Sequence, residues 1–162
     1  MTNQERSPEW PPKIAVFTGA VVLQGNRALF VRQAKGHPLE GQWSIPWGVV
    51  DPGEAPEVTA VRETKEEGGI DAEIEGMLGL QNLRREGWIA LVFLCRHVGG
   101  EPRPDGGIET DEAGYFSLEE MEKFAEPFEP WCEWIVRRVL GGECRVIPPV
   151  SANPYRPRLA FF

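Results

Sequence analysis

An α/β domain is what the sequence predicts, on three grounds. Short β-branched and apolar runs recur along the chain with turn residues between them, as strands require. One segment beginning at Pro56 carries helix start and stop residues in the right order. Two further helical segments close the C-terminal half, so strands and helices alternate.

The elements follow in order. Ile14 to Leu23 is β-branched and apolar and predicts a buried strand; Gly25-Asn26 turns the chain, and Arg27 to Arg32 returns as the second strand of a hairpin. Gln33 to Trp43 reads as loop, Ser44-Ile45 as a short strand, and Val49 to Ala55 as loop again, with Pro52-Gly53 as its turn. Pro56 suits the first helical position, where a backbone N–H has no partner to lose, and Glu57 suits the positive end of the helix dipole. Gly68-Gly69 stops this helix after about Glu67. Ile70 to Leu83 and Trp88 to His97 alternate as two strands around an Arg84–Gly87 turn, and Gly99 to Gly107 is a Gly/Pro-rich loop. Glu112 to Phe116 predicts a short strand. A helix follows, capped by Ser117 with Glu120 at the capping-box position. The last helix, from about Glu129 to Leu140, carries Trp131, Ile135 and Val139 on one face. Prolines exclude helix and central strand from 147–158. The chain thus divides into a flexible arm over 1–12, one domain over 13–146, and a Pro-rich tail over 147–162 that packs on the domain or on a partner, a homodimer being one such arrangement.

Composition narrows the function classes. The 162 residues are 41% hydrophobic and 26% charged, which suits one domain with a core of its own. No apolar run approaches the length of a membrane span, and the start of the chain lacks a secretion signal. Cys95, Cys132 and Cys144 are an odd number without CxxC spacing, so a cytoplasmic location is expected. A net charge of −8 argues against nucleic-acid binding, which draws on Lys and Arg. If the substrate is itself anionic, a metal ion or local cations must reverse the field at the site.

The segment Gly48 to Ile70, GVVDPGEAPEVTAVRETKEEGGI, carries the chemistry. Glu63, Glu66 and Glu67 stand at i, i+3 and i+4, so their carboxylates project from one side of the helix. Like charges at that spacing repel by roughly 0.2–0.5 kcal/mol per pair, and a divalent cation reverses the sign. All-oxygen ligation with water is what Mg²⁺ or Mn²⁺ prefers. Arg62 is placed to pair with Glu66, in the weaker orientation, and Lys65 has no acid at helical spacing. On the residues alone, a metal site and a solvated acidic face both remain open.

The same segment resembles the box of the Nudix hydrolase family, G-x5-E-x7-R-E-U-x-E-E-x-G-U with U a bulky aliphatic residue. Gly48, Glu54, Arg62-Glu63, Glu66-Glu67, Gly69 and Ile70 occupy the marked positions, and Thr64 fills one U site in place of an aliphatic. Thr64 keeps the volume but brings a hydroxyl that needs a partner, which predicts a local packing change without lost chemistry. The resemblance implies an α/β/α sandwich with a mixed sheet over about Ile14 to Leu140. It implies a Mg²⁺- or Mn²⁺-dependent pyrophosphohydrolase that cuts the diphosphate linkage of a small phosphorylated metabolite such as a nucleoside diphosphate derivative. Glu67 and Glu66 are then the principal metal ligands, Glu63 a further ligand or a base, and the Trp47 or Gly48 carbonyl completes the inner set. Arg62 would hold Glu54 in a structural ion pair. The general base would lie outside the box, with Glu109 favoured and Glu112 the alternative.

Substrate signals are weaker. Arg32, Lys35, Arg84 and Arg85 are candidate phosphate cations, and Trp88, Trp47 and Trp43 candidate stacking surfaces. His37 and His97 carry no particular signal. No Pro lies between Ile70 and Gly100, where ADP-ribose-cleaving relatives tend to have one; Gly87-Trp88 stands where diadenosine-polyphosphate cleavers tend to have Tyr. A rival reading is a silent Nudix-like ligand sensor. An isoprenoid diphosphate isomerase relative is a poor fit, since its extra Cys and metal His would have to come from three Cys and two His.

Overall fold

The computed structural model describes residues 14–162, so the arm expected over 1–12 lies outside the described residues. Strand β1 (Ala15–Gln24) is the axis of the domain. It pairs along its length with β6 (Trp88–Gly100) in parallel. On its other side the start of β1 meets β4 (Trp47–Val49) and its end meets β2 (Arg27–Gln33), both antiparallel. Strand β2 in turn pairs with β3 (Trp43–Ser44) and β7 (Thr110–Phe116), and β5 (Ile70–Asn82) closes the far edge against β6. The sheet is therefore mixed.

Both faces of this sheet are covered, because the side chains of its inner strands are apolar in both directions. Ala20, Val22, Leu29 and Phe93 form one core with Ala60 of helix α1 (Pro56–Gly68). Val21, Ala28, Phe30 and Val92 form the other with Met121 of α2 (Leu118–Lys123) and Cys132, Ile135 and Val136 of α3 (Pro130–Leu140). One helix on one face and two on the other make the α/β/α sandwich, as expected. No helix among the described residues is long and apolar enough to cross a membrane.

Local sequence accounts for most element ends. Pro56 opens α1, and Gly69 ends it in the left-handed conformation at φ 75°. A side chain at Gly69 would also meet the Glu101 carbonyl at 2.8 Å. Ser117 and Glu120 form the full capping box of α2. Three strand boundaries and one helix face are the main departures from the sequence expectation. Val49 belongs to β4, where loop was expected, since its backbone pairs with Phe17. Strand β6 runs on past His97 to Gly100, because Gly99 and Gly100 pair with β5. Strand β7 starts at Thr110, so Glu112 lies within it, carried by pairing to β2 despite weak strand propensity. The buried stripe of α3 is Cys132, Ile135 and Val136, and Trp131 is only half-buried beside it.

The tail touches the sheet. Met77 and Ile147 exchange backbone hydrogen bonds of 2.8 and 2.9 Å, β8 (Pro149–Val150) pairs with β9 (Ala160–Phe161), and the Phe161 ring lies 5.4 Å from Phe93.

Candidate active site

Helix α1 sends its acids in two directions. Successive residues turn by about 100°, so Glu63 and Glu67 stand about 40° apart while Glu66 points about 60° the other way. Glu63 and Glu67 are 6% and 3% exposed, facing inward. One oxygen from each lies within 4.8 Å of the other and of an oxygen of Glu109, which reaches in from the loop before β7. Glu66 is on the exposed side and pairs with Arg62 at 2.9 Å. The trio that converges is thus Glu63, Glu67 and Glu109, with Glu66 at its edge.

Arg62 ties the loop before the helix to these acids. Its Nε and Nη2 donate to the two oxygens of Glu54 at 3.2 and 3.1 Å, and its Nη1 donates to Glu63 at 2.8 Å and Glu66 at 2.9 Å. The Thr59 hydroxyl donates to Glu54 at 2.6 Å. The Arg62 hydrogen bond, then that of Thr59, holds the Glu54 carboxyl below the usual range. Such a fork-shaped donor reaches three carboxylates at once, as a Lys would not.

Strand β4 forms the opposite wall. The Trp47 N–H donates to Glu67 at 3.3 Å. Gly48 lies so near Glu63 that a Cβ there would fall 2.0 Å from Oε1, which explains the glycine by close approach. Thr64, the departure from the box pattern, is fully buried, and its hydroxyl donates to the Ala60 carbonyl at 2.8 Å. Its polar group is thereby satisfied within the helix.

Burial pushes the Glu67 carboxyl well above the usual range, and the neighbouring Glu63 adds to this. Burial also raises Glu63, against the lowering pull of Arg62. Two desolvated carboxylates beside a third, with Arg62 touching only one of the trio, form a site short of positive charge. An all-oxygen donor set of this kind fits Mg²⁺ or Mn²⁺. These acids line a cavity of about 360 Å³ together with His37, Asp51 and Trp47.

A second cavity of about 330 Å³ adjoins it, the two sharing Phe17 and Trp47. Trp88, Trp131, Arg84 and Arg85 line it, with the Arg85 guanidinium 4.7 Å from the centre of the Trp88 ring. The buried Thr18 hydroxyl and the Trp131 indole N–H, both on residues of this lining, have no hydrogen-bond partner among the described residues. Their polar capacity could not have been read from sequence, because Thr18 sits in an apolar strand and Trp131 on a helix face expected to be core.

The remaining candidates lie elsewhere. Arg32 lines neither cavity and is engaged by Asp111 and Glu112 at 2.7 Å and Glu126 at 3.2 Å. Glu112 is therefore paired with Arg32, apart from the acid trio. Lys35 is exposed and lines neither cavity. Trp43 is core, with its indole N–H on Glu126 at 2.7 Å. His97 bonds Tyr115 at 2.8 Å.

Comparison with known proteins agrees with this geometry. Residues 13–135 match the family described as NUDIX domain. The chain is 32% identical over 128 residues to a MutT-like protein of Streptomyces ambofaciens, covering 78% of this chain and 79% of that one. It is 31% identical to an ADP-ribose pyrophosphatase of Methanocaldococcus jannaschii, covering 68% of this chain and 66% of the relative. Among solved structures, a MutT NUDIX hydrolase of Burkholderia pseudomallei superposes with a TM-score of 0.67 at 28% identity, over 78% of this chain and 98% of that one.

Proposed function

The chain belongs to the NUDIX-domain family, and from that premise we propose that it hydrolyses the diphosphate linkage of a nucleotide derivative by attack of water. The observation that carries this reading is the convergence of buried Glu63 and Glu67 with exposed Glu109, next to an aromatic cavity large enough for a flat ring. Relatives with pyrophosphatase activity support the bond type.

Glu63, Glu67 and Glu66, with the carbonyl of Trp47 or Gly48, are the groups that would hold Mg²⁺ or Mn²⁺. When bound, such an ion neutralises charge on the phosphoryl oxygens and acidifies the attacking water. Glu109 is the group assigned to take the water proton, as an exposed carboxylate at the rim of the trio. Arg62 holds Glu54 and Glu63 in place and performs no proton transfer. Trp47, Trp88 and Phe17 offer faces for a base or another flat group, and Arg84 and Arg85 offer charge to the far phosphate or ribose. The three unpaired cysteines, two of them buried, accord with a cytoplasmic setting.

The test is a panel of nucleoside diphosphate compounds assayed with wild type and Glu67→Gln. Wild type should release phosphate-containing products only with a divalent ion present, and Glu67→Gln should lower kcat by at least about 10²-fold with its fold intact. Tight binding of one compound without turnover would mark a sensor instead. Near-normal turnover in Glu67→Gln would remove that residue from the site.

A further inference from the structure

Glu109 sits where geometry is hardest to keep. It is exposed, and it follows Gly106-Gly107, both at φ 91°. Its neighbour Ile108 is 82% exposed, so no apolar burial fixes the loop tip. Hydrogen bonds to one side chain do it instead. Asp105 Oδ1 accepts from the N–H groups of Gly107 at 3.1 Å, Ile108 at 3.0 Å and Thr110 at 3.2 Å, and Oδ2 accepts from Glu109 at 2.8 Å. One half-buried carboxylate thus gathers four consecutive amides.

The gathered loop is then fastened to the helix that carries the other two acids. The Thr110 hydroxyl accepts from the Asp105 N–H at 3.2 Å and donates to the Glu67 carbonyl at 2.8 Å. The Arg103 N–H donates to the Gly68 carbonyl at 2.9 Å, and the Ala34 N–H to the Glu109 carbonyl at 2.7 Å. The Thr110 and Arg103 links lead from this loop to the C-terminal end of α1, and the Ala34 link ties Glu109 to the chain just after β2. A charged acceptor saturated by backbone N–H groups is a strong and directional clamp.

We infer that Asp105 is a positioning residue for the reaction: it fixes the backbone that aims Glu109 at Glu63 and Glu67. The inference rests on the reading of Glu109 as the base. The Asp105 side chain meets the trio only at the Glu109 backbone N–H, so it acts by holding the loop.

A double-mutant cycle tests it, using Asp105→Ala, Asp105→Asn and Glu109→Gln in the full chain, with saturating Mg²⁺. Asp105→Ala should lower kcat about 10- to 100-fold with KM and circular dichroism near wild type, since a displacement on the scale of 1 Å has that effect on a catalytic group. Asp105→Asn, which keeps one acceptor oxygen, should recover part of the loss. In the Glu109→Gln background, Asp105→Ala should add less than about twofold, the limit of ordinary additivity. If it multiplies the Glu109→Gln loss by its full factor, or changes KM and not kcat, Asp105 is structural only and the inference falls while the base assignment stands. If Glu109→Gln alone keeps kcat, the base assignment falls and the inference with it. Should Asp105→Ala fail to fold, the smaller loss in Asp105→Asn must likewise vanish beside Glu109→Gln.

Discussion

Gly48→Ala is a one-carbon change that should disable the site by a calculable route. The added methyl would lie 2.0 Å from Glu63 Oε1, 2.3 Å from its carboxyl carbon and 2.8 Å from its Cγ. Ordinary contact begins at about 3.4 Å, so the carboxyl group must retreat by more than 1 Å, a displacement of the size that costs about 10²-fold in rate. Retreat is obstructed, because Glu63 is 6% exposed and held by Arg62. Strand β4 cannot yield freely either, since Gly48 is in register with Thr18 of β1. Forced overpacking of this kind costs about 1–3 kcal/mol of stability. We expect kcat to fall by about 10²-fold and Mn²⁺ affinity by about 10- to 100-fold, read by turnover and by titration calorimetry. The decisive arm is Gly48→Ala on top of Glu63→Ala, which deletes the atoms that clash. The double variant should be no worse than Glu63→Ala alone. Wild-type turnover in Gly48→Ala, or a full additional loss in the double variant, would refute the reasoning.

Two further outcomes follow from the same site. In chelator, stability should fall as pH rises, because the folded Glu67 and Glu63 carboxyls are raised above the unfolded value of 4.5 by burial. The folded state then holds the extra protons, so its stability is greatest below pH 4.5 for these groups and is lost as pH climbs through their folded values. Added Mg²⁺ should remove this decline in the thermal midpoint, and Glu67→Gln should flatten it without metal. Thr64→Val should leave turnover unchanged and shift stability by less than about 1 kcal/mol, measured by denaturant unfolding, because the lost hydroxyl bonds only the Ala60 carbonyl of its own helix.

Short-range pattern was enough for much of this protein. Helix α1 carries its own start and stop in Pro56 and Gly69, and the capping box of α2 is written in Ser117 and Glu120. The spacing of Glu63 and Glu67 puts them on one face whatever surrounds the helix. Such features depend on residues within one or two turns of each other, so the sequence states them directly.

What the tertiary structure decided lies at longer range. Glu66 shares the helix but turns outward to Arg62, while Glu109, 42 positions beyond Glu67, completes the trio in its stead. Glu112 stood in sequence as the alternative to the favoured Glu109, and strand pairing delivers it to Arg32. Thr18 and Trp131 read as core, and only the folded chain brings both residues into the lining of one cavity. The reason is physical in each case: local spacing sets the direction of a side chain, but the partner that meets it is chosen by which strands pair and which loops they carry.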